Sequence, residues 1–181
     1  MRIFPSIGLQ IPDILLPGSG IDLQKWAVIA CDQFTSQPDY WTNVSKLAGD
    51  SPSTLNLILP EVLLGKGDED ERIQASYQNM QTYLQNGVFE TFEGLMAVER
   101  TIGSAKRKGL MLALDLEKYD FNRGSQTLIR ATEGTILDRL PPRIKIRKNA
   151  TLELPHILVL VDRGSHDQGF VVGSHHFPQA V

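Results

Sequence analysis

Between Gln126 and Asp162 the chain reads QTLIRATEGTILDRLPPRIKIRKNATLELPHILVLVD, and within it charge, turn chemistry and hydrophobic period all change. A short helix including Glu133 to Leu140 is predicted first, with Thr132 or Thr135 as cap and Pro141-Pro142 as terminator. Arg143, Lys145 and Arg147 then alternate with Ile144 and Ile146, a strand period that would put three cations on one face. Pro155 to Asp162, PHILVLVD, follows as an apolar strand. Helix and strand patterns mixed at this density predict an α+β fold, a mixed sheet with helices packed on it.

The rest of the chain repeats that mixture. Met1 to Lys25, with Pro5, Pro12 and Pro17, reads as an extended lead-in. Trp26 to Cys31 (WAVIAC) and Leu55 to Leu59 (LNLIL) read as buried strands. Between them, Gln37 to Ala48 fits a helix with Pro38 near its start, Ser36 as cap, and Trp41, Val44, Leu47 and Ala48 on one face. A longer helix from about Asp70 to Asn86 opens on Asp68, Glu69, Asp70 and Glu71, charges that favour a helix start over a cation site. Ile73, Tyr77, Met80 and Leu84 would be its core stripe. Leu95 to Thr101 and Gly109 to Leu116 read as a hairpin with Lys106-Arg107-Lys108 at its tip and Glu99 and Arg100 in cross-strand charge pairs.

Charge decides which partners to consider. A formal net charge of -3 on 181 residues argues against bulk binding to a polyanion, so any nucleic-acid contact must be local. The excess lies in Arg123 to Lys148, where Arg123, Arg130, Arg139, Arg143, Lys145, Arg147 and Lys148 face only Glu133 and Asp138. Guanidinium groups clustered this way suit a carboxylate or phosphate, and the rival reading is ion pairing with the acidic helix start. Asp32, directly after the WAVIAC run, is placed where a loop presents ligand groups.

Other chemistries find little support. One cysteine, Cys31, excludes an intrachain disulfide and a cysteine-based zinc cluster, and it is read as a small buried residue rather than a nucleophile. His156 is read as a hydrogen-bonded core histidine, and His166, His175 and His176 lack a carboxylate partner, so no metal site is expected. Phosphate-loop, dinucleotide, zinc-protease and serine-hydrolase motifs do not occur. Neither a spanning apolar run nor a secretory signal is found, so a cytoplasmic protein without membrane contact is expected.

The segments WAVIACDQFTSQPDYW, PSTLNLILPEV, ERTIGSAKRKGLMLALDLEKYDF and GSQTLIRATEGTILDRLPPRIKIRKNATLELPHILVLVD resemble the DUF1015 family of conserved proteins of unknown function. The RATEGTILDR motif supplies its acidic residue, Thr and Asp-Arg as Glu133, Thr135, Asp138 and Arg139. The resemblance implies a fold similar in part to the ParB and sulfiredoxin-like proteins, some of which are free-serine kinases. Family members are longer and carry a downstream DGHHR or DGNHS motif, which GSHHF at Gly173 to Phe177 does not match. The chain is therefore expected to be an N-terminal portion, residues 1–162, with a divergent tail, 163–181, and to be inactive alone.

Two functions follow as expectations. In the first, the protein binds a nucleotide or phosphorylated small molecule, ATP or ADP with Mg2+, as a small-molecule phosphotransferase. Arg130, Thr135, Arg139 and Arg143 hold phosphate, and Asp32 or Glu133 orients or deprotonates an acceptor hydroxyl. In the second, a noncatalytic module docks nucleic acid or an acidic protein through the cationic face of Arg143, Lys145 and Arg147.

Overall fold

The computed structural model describes residues 3–131, 136–154, 156–163 and 168–173. Helices and small sheets are both present, an α+β fold. The chain divides into two compact units, one of segments 1–14, 92–135 and 156–181, the other of 15–91 and 136–155. In chain order the elements begin with β1 (Ile3–Phe4), β2 (Leu9–Gln10), β3 (Ile14–Pro17), α1 (Leu23–Trp26), α2 (Pro38–Ala48) and α3 (Glu69–Gln85). They continue with β4 (Phe89–Phe92), β5 (Ala97–Ile102), β6 (Ala105–Leu110), β7 (Ala113–Leu114), β8 (Tyr119–Asp120) and β9 (Ile129–Ala131). The last are α4 (Leu140–Arg147), β10 (Leu158–Arg163) and β11 (Gln168–Gly173).

The first unit is built of strands. A three-stranded sheet has the order β1-β2-β7, and a mixed sheet has the order β10-β11-β9-β8. In the mixed sheet β10 and β11 are antiparallel, whereas β9 runs parallel to both β11 and β8. Ile129 of β9 is fully buried, and Gly8 sits against it at a positive φ of 65°. β11 lies in the segment read from sequence as a tail.

The second unit is mainly helical. Its core holds Trp26, Leu57, Leu59, Ile73, Tyr77, Met80, Tyr83 and Val88, with Ile146, Leu152 and Leu154 packed against it. α3 matches its predicted span, yet its buried stripe runs Ile73, Ser76, Tyr77, Met80, Tyr83 and leaves Leu84 exposed. Tyr83 wins the last position because its hydroxyl accepts hydrogen bonds from Ser53 N at 3.1 Å and Asn56 Nδ2 at 2.9 Å. The acidic cluster is the expected solvated start, where Asp68 pairs with Arg72 at 2.7 Å.

Several expected elements are replaced, each for a local reason. WAVIAC is not a strand: Asp22 caps the turn that ends at Trp26, and Ala27 to Ala30 run on without regular structure. LNLIL is not a strand either, because Ser53 Oγ accepts from Leu55 N at 3.3 Å and starts a 3-10 turn over Thr54–Leu57. Thr54 Oγ1 donates to Trp26 O at 2.7 Å and locks that turn to α1. α2 begins at Pro38 with Gln37 at its cap position and no side-chain cap, so Ser36 does not serve. Residues before proline avoid the helical region, which fixes the boundary at Gln37.

Downstream, the hairpin is tighter than predicted. Gly103 at φ +58° and Ser104 form the whole loop, so Lys106, Arg107 and Lys108 lie within β6 and not at a tip. Glu99 pairs with Lys106 and Lys108, the expected cross-strand charge contact. Pro141 and Pro142 start a helix instead of ending one, since proline in a first turn forfeits no intrahelical bond. Leu137–Arg139 forms a single 3-10 turn before it, and residues 132–135 of the predicted helix lie outside the described residues. Arg143, Lys145 and Arg147 are therefore helical, and Lys145 lies about 200° around the axis from Arg143. The single cationic strand face does not exist.

Candidate functional site

The loop after α1 is held from two sides. Trp41 Nε1 of α2 donates to Gln33 O at 3.2 Å, and Glu61 N donates to Cys31 O at 2.8 Å. Within the loop Phe34 takes a positive φ of 50°, unusual for a side chain of that bulk. Its ring stacks on Tyr40 at 4.1 Å, and Tyr40 meets Trp41 edge to face at 5.4 Å. Such a conformation persists only where its surroundings fix it.

This framework fixes where Asp32 stands. Its Oδ1 accepts from Gln33 Nε2 at 3.2 Å, and the residue is half-buried. Glu61, following Pro60 in a 3-10 turn over Glu61–Leu63, contacts Arg143 Nη2 of α4 at 3.3 Å. Asp32, Glu61 and Arg143 all act electrostatically on Cys31. Burial raises the Cys31 thiol above its ordinary pKa, Asp32 and Glu61 add to the rise, and Arg143 opposes it. A thiol in that setting is a poor nucleophile, consistent with a packing role.

What positions Arg143 is the anchoring of α4 on α3. Tyr77 OH donates to Lys145 O at 2.7 Å and accepts from Asn149 N at 3.4 Å, and Ile146 packs on the core. Each cation of α4 named from sequence has a carboxylate neighbour. Arg143 has Glu61, Lys145 has Asp70, and Arg147 has Glu153 at 3.0 Å. The Asp70 carboxylate holds the Lys145 ammonium above its ordinary pKa. Pairing with the acidic helix start, the rival to an anion site, is thus realised at Lys145.

Of the residues named from sequence, Asp32 and Arg143 both act electrostatically on Cys31, and Arg143 contacts Glu61, which sequence reasoning missed. Its signal was thin: PEVLL continues an apolar run, and nothing in the spacing links residue 61 to residue 143. Arg130 belongs to the first unit, on β9, where it is in register with Asp120 of β8 and Val171 of β11. Glu133 and Thr135 lie outside the described residues, and Arg139 closes the turn before α4. His156 is exposed and not a core residue, while His166, His175 and His176 lie outside the described residues.

Elsewhere, a cleft of about 180 Å³ in the first unit is lined by Pro5, Gly8, Leu9, Gln10, Ala113, Leu114 and Asp115 and contains none of the predicted site residues. Among the described residues no group of three His, Cys, Asp or Glu is placed to hold a metal ion. No helix among them is long and apolar enough to cross a membrane.

A family model described as a protein of unknown function, DUF1015, matches residues 15–170. The chain belongs to the DUF1015 family. That match takes in all of Asp32, Glu61, Arg130, Glu133, Thr135, Arg139 and Arg143, so each candidate residue falls within the DUF1015 region. It also extends past Asp162 into β11, beyond the point where the motif-based resemblance ends. No curated protein and no solved structure matches the chain.

Proposed function

We propose that this DUF1015 protein binds a nucleotide or phosphorylated small molecule at the loop carrying Asp32, with Arg143 as the phosphate-facing cation. The observation that supports the reading is the Arg143–Glu61 contact beside a loop that Trp41 and Glu61 clamp at Gln33 and Cys31, next to Asp32 in sequence. A guanidinium carries five N–H donors, and the Glu61 contact uses only part of them. The donors left over suit a phosphate, whose oxygens accept in the same planar geometry. Meanwhile Glu61 keeps Arg143 directed toward the loop.

Asp32 is the carboxylate suited to an acceptor hydroxyl. With Oδ1 held by Gln33, it is oriented before any ligand arrives, which is what a hydroxyl-orienting or proton-accepting group in phosphoryl transfer requires. Any Mg2+ would enter with the nucleotide, because that ion is usually bound by phosphate oxygens, water and only one or two carboxylates. Parts for Arg130, Glu133, Thr135 and Arg139 in phosphate binding or hydroxyl activation are proposed on the RATEGTILDR motif alone.

The docking alternative through Arg143, Lys145 and Arg147 loses its premise, since the three do not line one face and each has a carboxylate neighbour. The test of the leading reading is calorimetric titration of ATP and ADP, with and without Mg2+, into the protein and its Arg143→Ala variant. Phosphate release in the presence of free amino acids would then ask whether binding leads to transfer.

A further inference from the structure

α3 runs out on Asn86-Gly87, the one Asn-Gly step in the chain; the other asparagines precede Val44, Leu57, Met80, Arg123 and Ala150. Gly87 takes φ +69°, the left-handed turn that closes many helices, and Val88 N donates back to Tyr83 O at 3.2 Å. Asn86 and Gly87 are both exposed, and a Cβ at residue 87 would meet nothing within 4 Å. The side-chain amides of Asn56, Asn79 and Asn122 are held differently, donating to Tyr83 OH at 2.9 Å, Asn56 O at 3.0 Å and Asp120 Oδ1 at 2.7 Å.

We infer that Asn86 is a site of spontaneous deamidation, which leaves isoaspartate at the end of α3. The Gly87 amide nitrogen attacks Asn86 Cγ. A C–N bond forms, the bond from Cγ to Nδ2 breaks, and the amide proton of Gly87 departs with the side-chain NH2 as ammonia. Water then opens the cyclic imide at either carbonyl, giving aspartate, or isoaspartate in which the main chain runs through Cβ and Cγ. Asn86 stands at ψ 10° and must rotate before its Cγ is reached. Helix ends fray at little free-energy cost, and glycine lacks the Cβ that shields the nitrogen in other residues.

The product acts on the fold in two ways. α3 has no basic residue in its last turn, so a carboxylate at residue 86 meets the negative end of the helix dipole with nothing in that turn to offset it. Isoaspartate also adds a carbon to the main chain just ahead of Val88. That disturbs the Val88 N to Tyr83 O bond at a residue that is buried in the core and whose carbonyl accepts from Gly18 N at 2.9 Å. Conversion therefore loosens the second unit where its long helix ends, independently of any ligand at Asp32 or Arg143.

The experiment holds the full chain at mildly alkaline pH and maps its tryptic peptides by mass spectrometry over time. Peptide 73–100 carries both Asn79 and Asn86, so fragmentation compares the two within one molecule. Asn86 should convert on the order of tenfold faster than Asn79, which lies inside the helix and opens less often. Isoaspartate should be the larger product, recognised by an isoaspartate-specific methyltransferase. Aged protein should melt at a lower temperature than fresh protein, and Asn86→Gln should keep its midpoint under the same ageing. Asn86→Asp, which adds the charge without the extra carbon, should fall between them. The inference is overturned if Asn86 stays intact in the folded chain while the urea-unfolded chain converts, if Asn79 or Asn122 converts as fast, or if converted protein melts where fresh protein does.

Discussion

Tyr83 of α3 accepts a hydrogen bond from the backbone N–H of Ser53, a residue with 0% exposure, at 3.1 Å. The same hydroxyl accepts from Asn56 at 2.9 Å, so one oxygen ties the 3-10 turn after α2 to the long helix. Tyr83→Phe would leave the buried Ser53 N–H without an acceptor. An unsatisfied buried donor costs about 1–3 kcal/mol, and urea unfolding should show a lower midpoint with an unchanged slope. Unaltered stability would mean the turn is held by apolar packing alone.

Gly8 takes φ +65°, and a Cβ there would stand 3.1 Å from Lys118 Cδ and 3.3 Å from Ile129 Cδ1. The lysine stem can yield, whereas Ile129 is fully buried and cannot move freely. Backbone strain and crowding together predict that Gly8→Ala destabilises by about 1–2 kcal/mol. Thermal denaturation measures it, and a neutral result would deny the left-handed conformation at residue 8.

Asp120 makes an acid-limb prediction. The backbone N–H of Asn122 chiefly lowers its pKa from 3.8, with Ser125 and the Asn122 side chain adding to the effect. A carboxyl with a depressed folded pKa contributes stability above its unfolded pKa, and loses that contribution as pH falls through the folded value. Stability should therefore decline from about pH 4 downward, and Asp120→Asn should flatten that limb. Asp68, lowered by Arg72, acts in the same window. Lys145 has the opposite sign: its raised pKa contributes below 10.5 and is lost as pH climbs through the folded value.

At Cys31 burial, Asp32 and Glu61 all disfavour the thiolate. Alkylation at neutral pH should be slower in the folded protein than in urea, and Asp32→Asn should speed it, because only the thiolate reacts. A rate equal in both states would place the thiol outside the acidic cluster. Mass spectrometry of the alkylated protein reads the rate directly.

These contacts also mark what was legible beforehand. α3 was readable because its acidic start and its apolar spacing point the same way, and α2 because Pro38 fixes its first turn. Strand assignments failed where a polar side chain just before the apolar run redirected the backbone: Ser53 caps the 3-10 turn that enters LNLIL, and Asp22 caps the helical turn that ends at Trp26. α4 failed because alternation of charge with isoleucine over five residues fits a strand, while Tyr77 and the α3 surface that select the helix lie about seventy positions earlier. Asp32 and Arg143 were named singly, from loop position and local charge. The contact of Arg143 with Glu61 is a tertiary fact with no local trace.

The most direct test of the proposed site is calorimetric titration of ADP and MgATP into the purified protein, followed by Arg143→Ala and Asp32→Asn. The Arg143–Glu61 pair is partly exposed, so removing the arginine should cost about 1 kcal/mol of stability and leave the fold intact. Saturable nucleotide binding is expected, weakened at least tenfold by Arg143→Ala, with Asp32→Asn affecting phosphate transfer more than affinity. Absence of binding by either nucleotide, or affinity that Arg143→Ala leaves unchanged, would contradict it.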